Sequence, residues 1–285
     1  MSSINAGEKR PVAVLTASYS GIGTELSKML AAAGYDLILI NRSPERTIPQ
    51  LKQLRSAAPS RVIEPIYADL SDHAQIRQAA EQIAEKRDRI DLLIHNAGIA
   101  GERLELSVQG NDLHYEVNTF APYLLTELLR PQLAAADHSV VVAVGSSAMR
   151  MAHGLDLPQL RVPRKFKRFR AYAHTKLATA AAFQAMADDY AQDRISLRIA
   201  DPGPTRTAMS MSGAMPFWFP MIRWYFVSPV KGAERIHTAA TATVHPRKGA
   251  AYFEFGRPAL LPKAARNTET ADRLMEILRS SRHAD

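Results

Sequence analysis

The chain has 285 residues, enough to bury a large core, in ordinary globular proportions of 46% hydrophobic and 22% charged residues. It contains no cysteine, which excludes a disulfide framework, a thiolate metal site and a cysteine nucleophile; its nine histidines show no paired ligand spacing, so no metal is expected. The formal net charge of +8 suits nucleic acid or an anionic surface, but no nucleic-acid motif accompanies it, and a polyanionic cofactor fits it as well.

In chain order, the first strand is expected over Val12–Thr16. It runs through Thr16-Ala17-Ser18-Tyr19-Ser20-Gly21-Ile22-Gly23 into a helix over Gly21–Ala33. Glycines between a strand and a helix let backbone N–H groups and the positive end of the helix dipole meet a pyrophosphate, though a glycine pair alone also fits a plain tight turn. The strand Leu37–Ile40 ends at Asn41-Arg42-Ser43. A carboxylate there would accept hydrogen bonds from a free ribose 2′-hydroxyl, but Asp36 precedes the strand, and Arg42 instead offers a planar charged fork for phosphate. Taken alone, such an arginine is an ordinary surface residue. Further strands are expected over Val62–Tyr67, Ile90–Ile94, Val140–Val144 and Ile195–Ile199, with helices over Asp72–Lys86, Asn111–Ala134 and Ala171–Ala191.

Two stretches break this alternation. Arg150–Arg170 contains prolines and six cations from Arg161 to Arg170; it reads as a solvated face or a docking patch for an anionic partner or a membrane surface. Met209–Phe226 is rich in methionine and aromatics and reads as a lid over a substrate, or as core or subunit contact. Helices over Ser228–Thr241 and Thr268–Arg279 and a strand over Ala251–Phe255 complete the chain. Repeated β–α units imply an α/β fold with a parallel sheet and helices on both faces. With no linker or composition shift, one domain is expected over residues 1–285, with a cofactor half over about 10–150, a catalytic and substrate half over about 151–285 and the lid over about 209–227. Met1–Arg10 lacks the apolar core of a signal peptide, and no run of about 18 apolar residues suggests a membrane span, so a cytoplasmic location with room for peripheral membrane contact is expected.

Tyr172 and Lys176 stand four apart in a helical stretch and so share one face. A free phenol has a pKa near 10, and a cation held nearby favours the phenolate and brings it toward the working range. Tyr-x-x-x-Lys is by itself a common solvated pattern; its weight here comes from following a strand that ends in Ser146-Ser147.

Taken together, these ordered motifs from Thr16 to Thr207 resemble the short-chain dehydrogenase/reductase family. Ser228-Pro229-Val230-Lys231-Gly232-Ala233, Gly249-Ala250-Ala251-Tyr252-Phe253 and the long gap between Ser147 and Tyr172 are similar to its retinol-dehydrogenase and WW-domain-oxidoreductase-like branch. The resemblance implies a single Rossmann-like, doubly wound parallel sheet and NADP(H) as cofactor. In the turn, Ala17 replaces the family's first glycine, a small departure provided that Ala17 keeps negative φ. Cofactor contacts are implied for Ala17, Ser18, Tyr19, Ser20, Gly21, Ile22, Gly23, Arg42, Asp69 and Leu70, then for Asn96, Ala97, Gly98, Tyr172, Lys176, Pro202, Gly203, Thr205 and Thr207. Catalysis is implied for Tyr172 as general acid or base, for Lys176 as the cation that lowers its pKa and holds the nicotinamide ribose, and for Ser147, supported by Ser146, as the group that orients a carbonyl. Asn118 would bend its helix and hold a water of the proton relay. The expected activity is hydride transfer between nicotinamide and a carbonyl/alcohol carbon of a bulky lipophilic small molecule, run as a reductase, in a homodimer or homotetramer. The alternatives are an NADP(H)-binding regulator without catalysis and a reductase of an activated C=C bond.

Overall fold

The structure, a computed structural model, describes residues 10–19, 21–207, 226–244 and 248–282. Its strands are β1 (Val12–Thr16), β2 (Asp36–Asn41), β3 (Ile63–Tyr67), β4 (Leu92–His95), β5 (Ser139–Val144), β6 (Ile195–Asp201), β7 (Ala251–Glu254) and β8 (Arg257–Ala259). They form one sheet in the order β3-β2-β1-β4-β5-β6-β7-β8. All neighbours pair in parallel except β7 and β8. Strands buried on both faces need continuous apolar runs, and every residue of β1 is buried. The chain winds outward from β1 to β3 and then returns to place β4 on the other side of β1. That reversal opens a crevice at the carboxyl ends of β1 and β4, where open α/β sheets bind ligands.

Helices α1 (Ile22–Ala32) and α2 (Pro44–Ala57) lie on one face, joined by α8 (Pro229–Thr241), with Leu26, Leu54 and Ile236 in one apolar cluster. The other face carries α3 (His73–Lys86), a helical segment described below, α7 (Arg168–Gln192) and α9 (Thr268–Arg282), with Ile76, Leu124, Phe183 and Leu274 in a second cluster. Both faces of the sheet are thus covered, as the alternation of strands and helices requires.

The expected elements are present with small shifts of boundary, and three differences have local causes. The helix α2 carries no clear apolar period and holds Pro49 in its interior; the Ser43 hydroxyl caps it by accepting from the Arg46 N–H at 3.3 Å, and Pro44 pre-sets its first turn. The helix expected over Asn111–Ala134 is divided into α4 (Leu113–Tyr115), a π-helical turn (Glu116–Phe120), α5 (Ala121–Leu128) and α6 (Arg130–Ala134). The strand β8 is three residues long, partly exposed and contains Pro258, so nothing in its sequence announces it. Arg150–Arg170 is irregular, as expected, with two 3-10 turns before α7 begins at Arg168. The expected lid lies outside the described residues except for its end, where buried Phe226 precedes a bridge between Val227 and Thr205. Among the described residues no helix is long and apolar enough to cross a membrane.

Candidate functional site

The first half of the site is the turn between β1 and α1. Gly21 has φ +50, and a Cβ there would stand 3.0 Å from Thr207 Cγ2, so Thr207 lies against the turn. At Gly23 a Cβ would overlap the Ala17 carbonyl oxygen and stand 2.7 Å from Asn96 Nδ2. The first turn of α1 therefore packs directly on the preceding loop, an approach that only glycine permits. Asn96, just after β4, donates to the Thr16 and Ala17 carbonyls at 3.2 and 3.0 Å, and the Ala97 N–H donates to Thr16 Oγ1 at 2.8 Å. Both sides of the crevice are thereby stitched together. Ser18 is buried, and its hydroxyl is engaged with Asn41 and Gln50 rather than facing outward. Ile22 is packed in the core, so only its backbone faces the turn. Ser20 lies outside the described residues.

Ala17 departs from expectation: its φ is +52 rather than negative. The path from β1 into the turn requires a left-handed residue at this point, and alanine adopts it against the clash of its Cβ.

At the end of β2, Arg42 is exposed and pairs with Asp69 at 3.6 Å, so two residues that the sequence singled out separately stand together. Beside them, Arg46 in the first turn of α2 stacks over the Tyr19 ring at 4.5 Å. Sequence reasoning passed over Arg46, because only the unrecognised helix α2 brings it back toward the turn. On the far side, Gly203 has φ +75, Pro202 accepts from Arg235 at 2.7 Å, and a Cβ at Gly232 would stand 2.9 Å from Thr205 Oγ1. The segment after β6 is in this way seated on α8 and against the turn. A glycine cradle at a helix N-terminus, with Arg42 and Arg46 following β2 and no acidic residue among Asn41, Arg42 and Ser43 at its end, fits a dinucleotide that carries an additional phosphate.

The second half of the site lies at the ends of β5 and β6. Lys176 is 5% exposed, and its ammonium donates to the Val144 carbonyl at 2.8 Å. One turn earlier on α7, the Tyr172 ring centroid is 6.0 Å from Lys176 Nζ. A Cβ at Gly98 would stand 3.2 Å from Lys176 Nζ and 3.3 Å from Asn118 Oδ1, so both side chains converge on that glycine. Asn118 occupies the π-helical turn that interrupts the helix. Its side chain is committed elsewhere: Oδ1 accepts from the Ile99 N–H at 2.8 Å, and Nδ2 donates to the Ile99 carbonyl and to Thr175 Oγ1, each at 3.0 Å. Its carbonyl accepts from Thr179 Oγ1 at 2.6 Å. Asn118 is thus a clamp that fixes the loop after β4 against α7.

The serine pair is arranged differently from expectation. It is Ser146 whose hydroxyl faces the Tyr172 phenol, while Ser147 faces Asp201. Ser146 caps the 3-10 turn Ser147–Ala152, accepting from the Ala148 N–H at 3.2 Å, and the chain turns there, carrying Ser147 toward β6. Two adjacent serines give the sequence no means of telling which will cap.

The electrostatics also differ from the simple cation–phenol picture. Tyr172 is partly exposed as a residue; burial at its phenol pushes the group up to about 12, Ser146 easing it down and Asp201 adding to the rise. Lys176 is pulled down to about 8 by burial, opposed by Asp201. Desolvation dominates the shift of the phenol, and the resting pair is a neutral phenol beside an ammonium.

The switch-point crevice, the glycine turn and the convergent Tyr172, Lys176 and Asn118 define a dinucleotide-binding α/β protein. The short chain dehydrogenase family model matches residues 11–214, and the chain belongs to that family. It is 31% identical to the bovine (Bos taurus) dehydrogenase/reductase SDR family member 13 over 275 residues, covering 94% of this chain and 72% of the relative. It is 26% identical to human retinol dehydrogenase 12 over 272 residues, covering 93% of this chain and 84% of that protein. Among solved structures, a Shigella flexneri protein described as a short chain dehydrogenase complexed with NADP is 26% identical, with a TM-score of 0.61 over 78% of this chain and 87% of that one. A Mycobacterium paratuberculosis protein, 23% identical, shares the fold with a TM-score of 0.72 over 95% of this chain and 93% of its own.

Proposed function

We propose that this short-chain dehydrogenase is an NADP(H)-dependent oxidoreductase of carbonyl and alcohol carbons, acting as a ketone or aldehyde reductase. The observation that carries this reading is the convergence of Lys176 and Asn118 on Gly98, with Tyr172 one turn away and Ser146 facing its hydroxyl. NADP complexes among similar structures support the cofactor, and Arg42 with Arg46 at the end of β2 supports the extra phosphate.

NADPH, when bound, supplies the hydride. The turn Thr16–Gly23, Asn96–Gly98 and Pro202–Thr207 would hold it, with Lys176 on the ribose. Tyr172, kept neutral by burial, is the proton donor to the carbonyl oxygen. The adjacent Lys176 ammonium stabilises the phenolate as the proton departs, which a cation in a low-dielectric site does more strongly than in water. Ser146, rather than Ser147, orients the carbonyl beside the phenol. The composition of Met209–Phe226, with four methionines and six aromatics, favours a bulky lipophilic substrate, since burial of apolar surface contributes about 25 cal/mol per Å².

The test is NADPH oxidation with a panel of hydrophobic ketones, aldehydes and activated alkenes, with product analysis, for the wild-type protein and Tyr172→Phe. Turnover of a carbonyl by wild type and its loss in the variant, with NADPH binding nearly intact, is the expected result. Equal turnover by both removes Tyr172 from the mechanism. NADPH binding without turnover of any compound favours the regulatory reading, and saturated products from the alkenes favour C=C reduction.

A further inference from the structure

The end of β6 places a carboxyl group inside the same ring of side chains. Ile195, Leu197 and Ile199 of β6 lie in the apolar cluster under α7, and strand alternation turns Asp201 to that face. Ala200 lies opposite Val144, whose carbonyl holds Lys176, and Asp201 lies opposite Glu254 of β7. Asp201 is 2% exposed. Its Oδ1 accepts from the Gly203 N–H at 2.8 Å, Oδ2 is buried without a partner at hydrogen-bonding distance, and the Ser147 hydroxyl faces the carboxyl without neutralising it. Among the described residues no ion pair reaches Asp201, and Arg150, the guanidinium nearby, is taken by Glu254 at 2.9 Å. A half-satisfied buried carboxylate weakens a fold. Packing alone does not account for it; its neighbours in the site do.

We propose that Asp201 is a positioning residue for the Tyr172–Lys176 pair, its buried carboxylate acting as the counter-charge that keeps the Lys176 ammonium protonated and in place. The proposal rests on the reading of Tyr172 and Lys176 given above. The groups that face Asp201 are Tyr172 and Lys176 from α7, Ser147 and Arg150 from the 3-10 turn, and Tyr252 and Glu254 from β7. Of these, Lys176 is the buried cation without a carboxylate bonded to it. Burial raises Asp201 itself to about 6, so it is ionised at neutral pH, and its charge raises Lys176 against the pull of burial.

Asp201→Asn keeps the shape and the acceptor for Gly203 and removes the charge. The deciding measurement is the NADPH dissociation constant through the neutral and alkaline range, with thermal unfolding without cofactor as its control. In the wild type, affinity falls as pH rises through about 8, where Lys176 deprotonates. In Asp201→Asn that limb moves to lower pH by roughly one unit or more, the effect of deleting one nearby opposite charge. Thermal unfolding checks that the variant is folded, so that its limb reports the lost charge and not a damaged site. An unmoved alkaline limb overturns the proposal. Wild-type turnover by Tyr172→Phe refutes the underlying reading and the proposal with it, whereas an inactive Tyr172→Phe beside an unmoved Asp201→Asn limb refutes the proposal alone.

Discussion

Ala17 holds a left-handed backbone, φ +52, in the turn that the cofactor would approach. An L-residue in that region loses about 1–2 kcal/mol, and glycine recovers it at about 0.4–1 kcal/mol of extra unfolded-state entropy. Ala17→Gly should therefore stabilise the protein by up to about 1 kcal/mol, read from urea unfolding; a loss of stability means that the alanine methyl makes a packing contact worth more than the strain. Arg42 supports a prediction of a different kind. One charge-assisted contact to phosphate is worth about 1.5–3 kcal/mol, so Arg42→Ala should weaken NADPH binding about ten- to a hundredfold and leave NADH nearly unchanged. A constant ratio of the two dissociation constants would assign the phosphate to Arg46 or to neither. At this scale the residue types of the site were legible in the sequence, but their contacts were not. Ser146 and Ser147 differ only in which one caps a turn, and Arg46 reaches Tyr19 only through a helix whose surface carries no apolar period.

The π-helical turn Glu116–Phe120 is the element on which the chemical half of the site depends. One extra residue in the turn directs Asn118 between the loop after β4 and α7, where its side chain makes three hydrogen bonds at 2.8–3.0 Å while 1% exposed. Asn118→Ala would leave the Ile99 N–H and carbonyl without those partners. Each buried unsatisfied group costs about 1–3 kcal/mol, so a loss of at least about 2 kcal/mol in stability is expected, with faster amide exchange at Ile99 than in the core strands. Unchanged exchange there would show that the loop is held by other contacts. Periodicity in this region suggested one long helix over Asn111–Ala134, because apolar spacing registers which face is buried and not a single inserted residue. The strongly patterned elements β1, α1 and α3 were legible for the opposite reason. Pro49 within α2 and the three residues of β8 left too little signal against their tertiary context.

At the scale of the molecule, a boundary near residue 150 divides a cofactor half from a catalytic half, yet the sheet crosses it without a break. Six residue pairs join β5 to β6 in parallel register, from Ser139 with Ile195 to Val144 with Ala200. One apolar cluster contains Val14 and Ile76 from the first half together with Leu177, Phe183 and Leu274 from the second. Neither half closes a core without the other, so the proposed single domain should unfold as one unit despite a length at which intermediates often appear. Calorimetry is expected to give a single transition whose calorimetric and van't Hoff enthalpies agree. NADPH makes its proposed contacts at β1, β2 and β4 on one side of residue 150 and at α7 and β6 on the other. A ligand at a hundred times its dissociation constant adds about 2.7 kcal/mol to the state that binds it. That increment should move the whole transition upward, more for NADPH than for NADH at equal concentration, and the difference should vanish in Arg42→Ala. Two resolved transitions, with only the earlier one moved by NADPH, would instead divide the chain at the β5–β6 seam and make the two halves separate folding units.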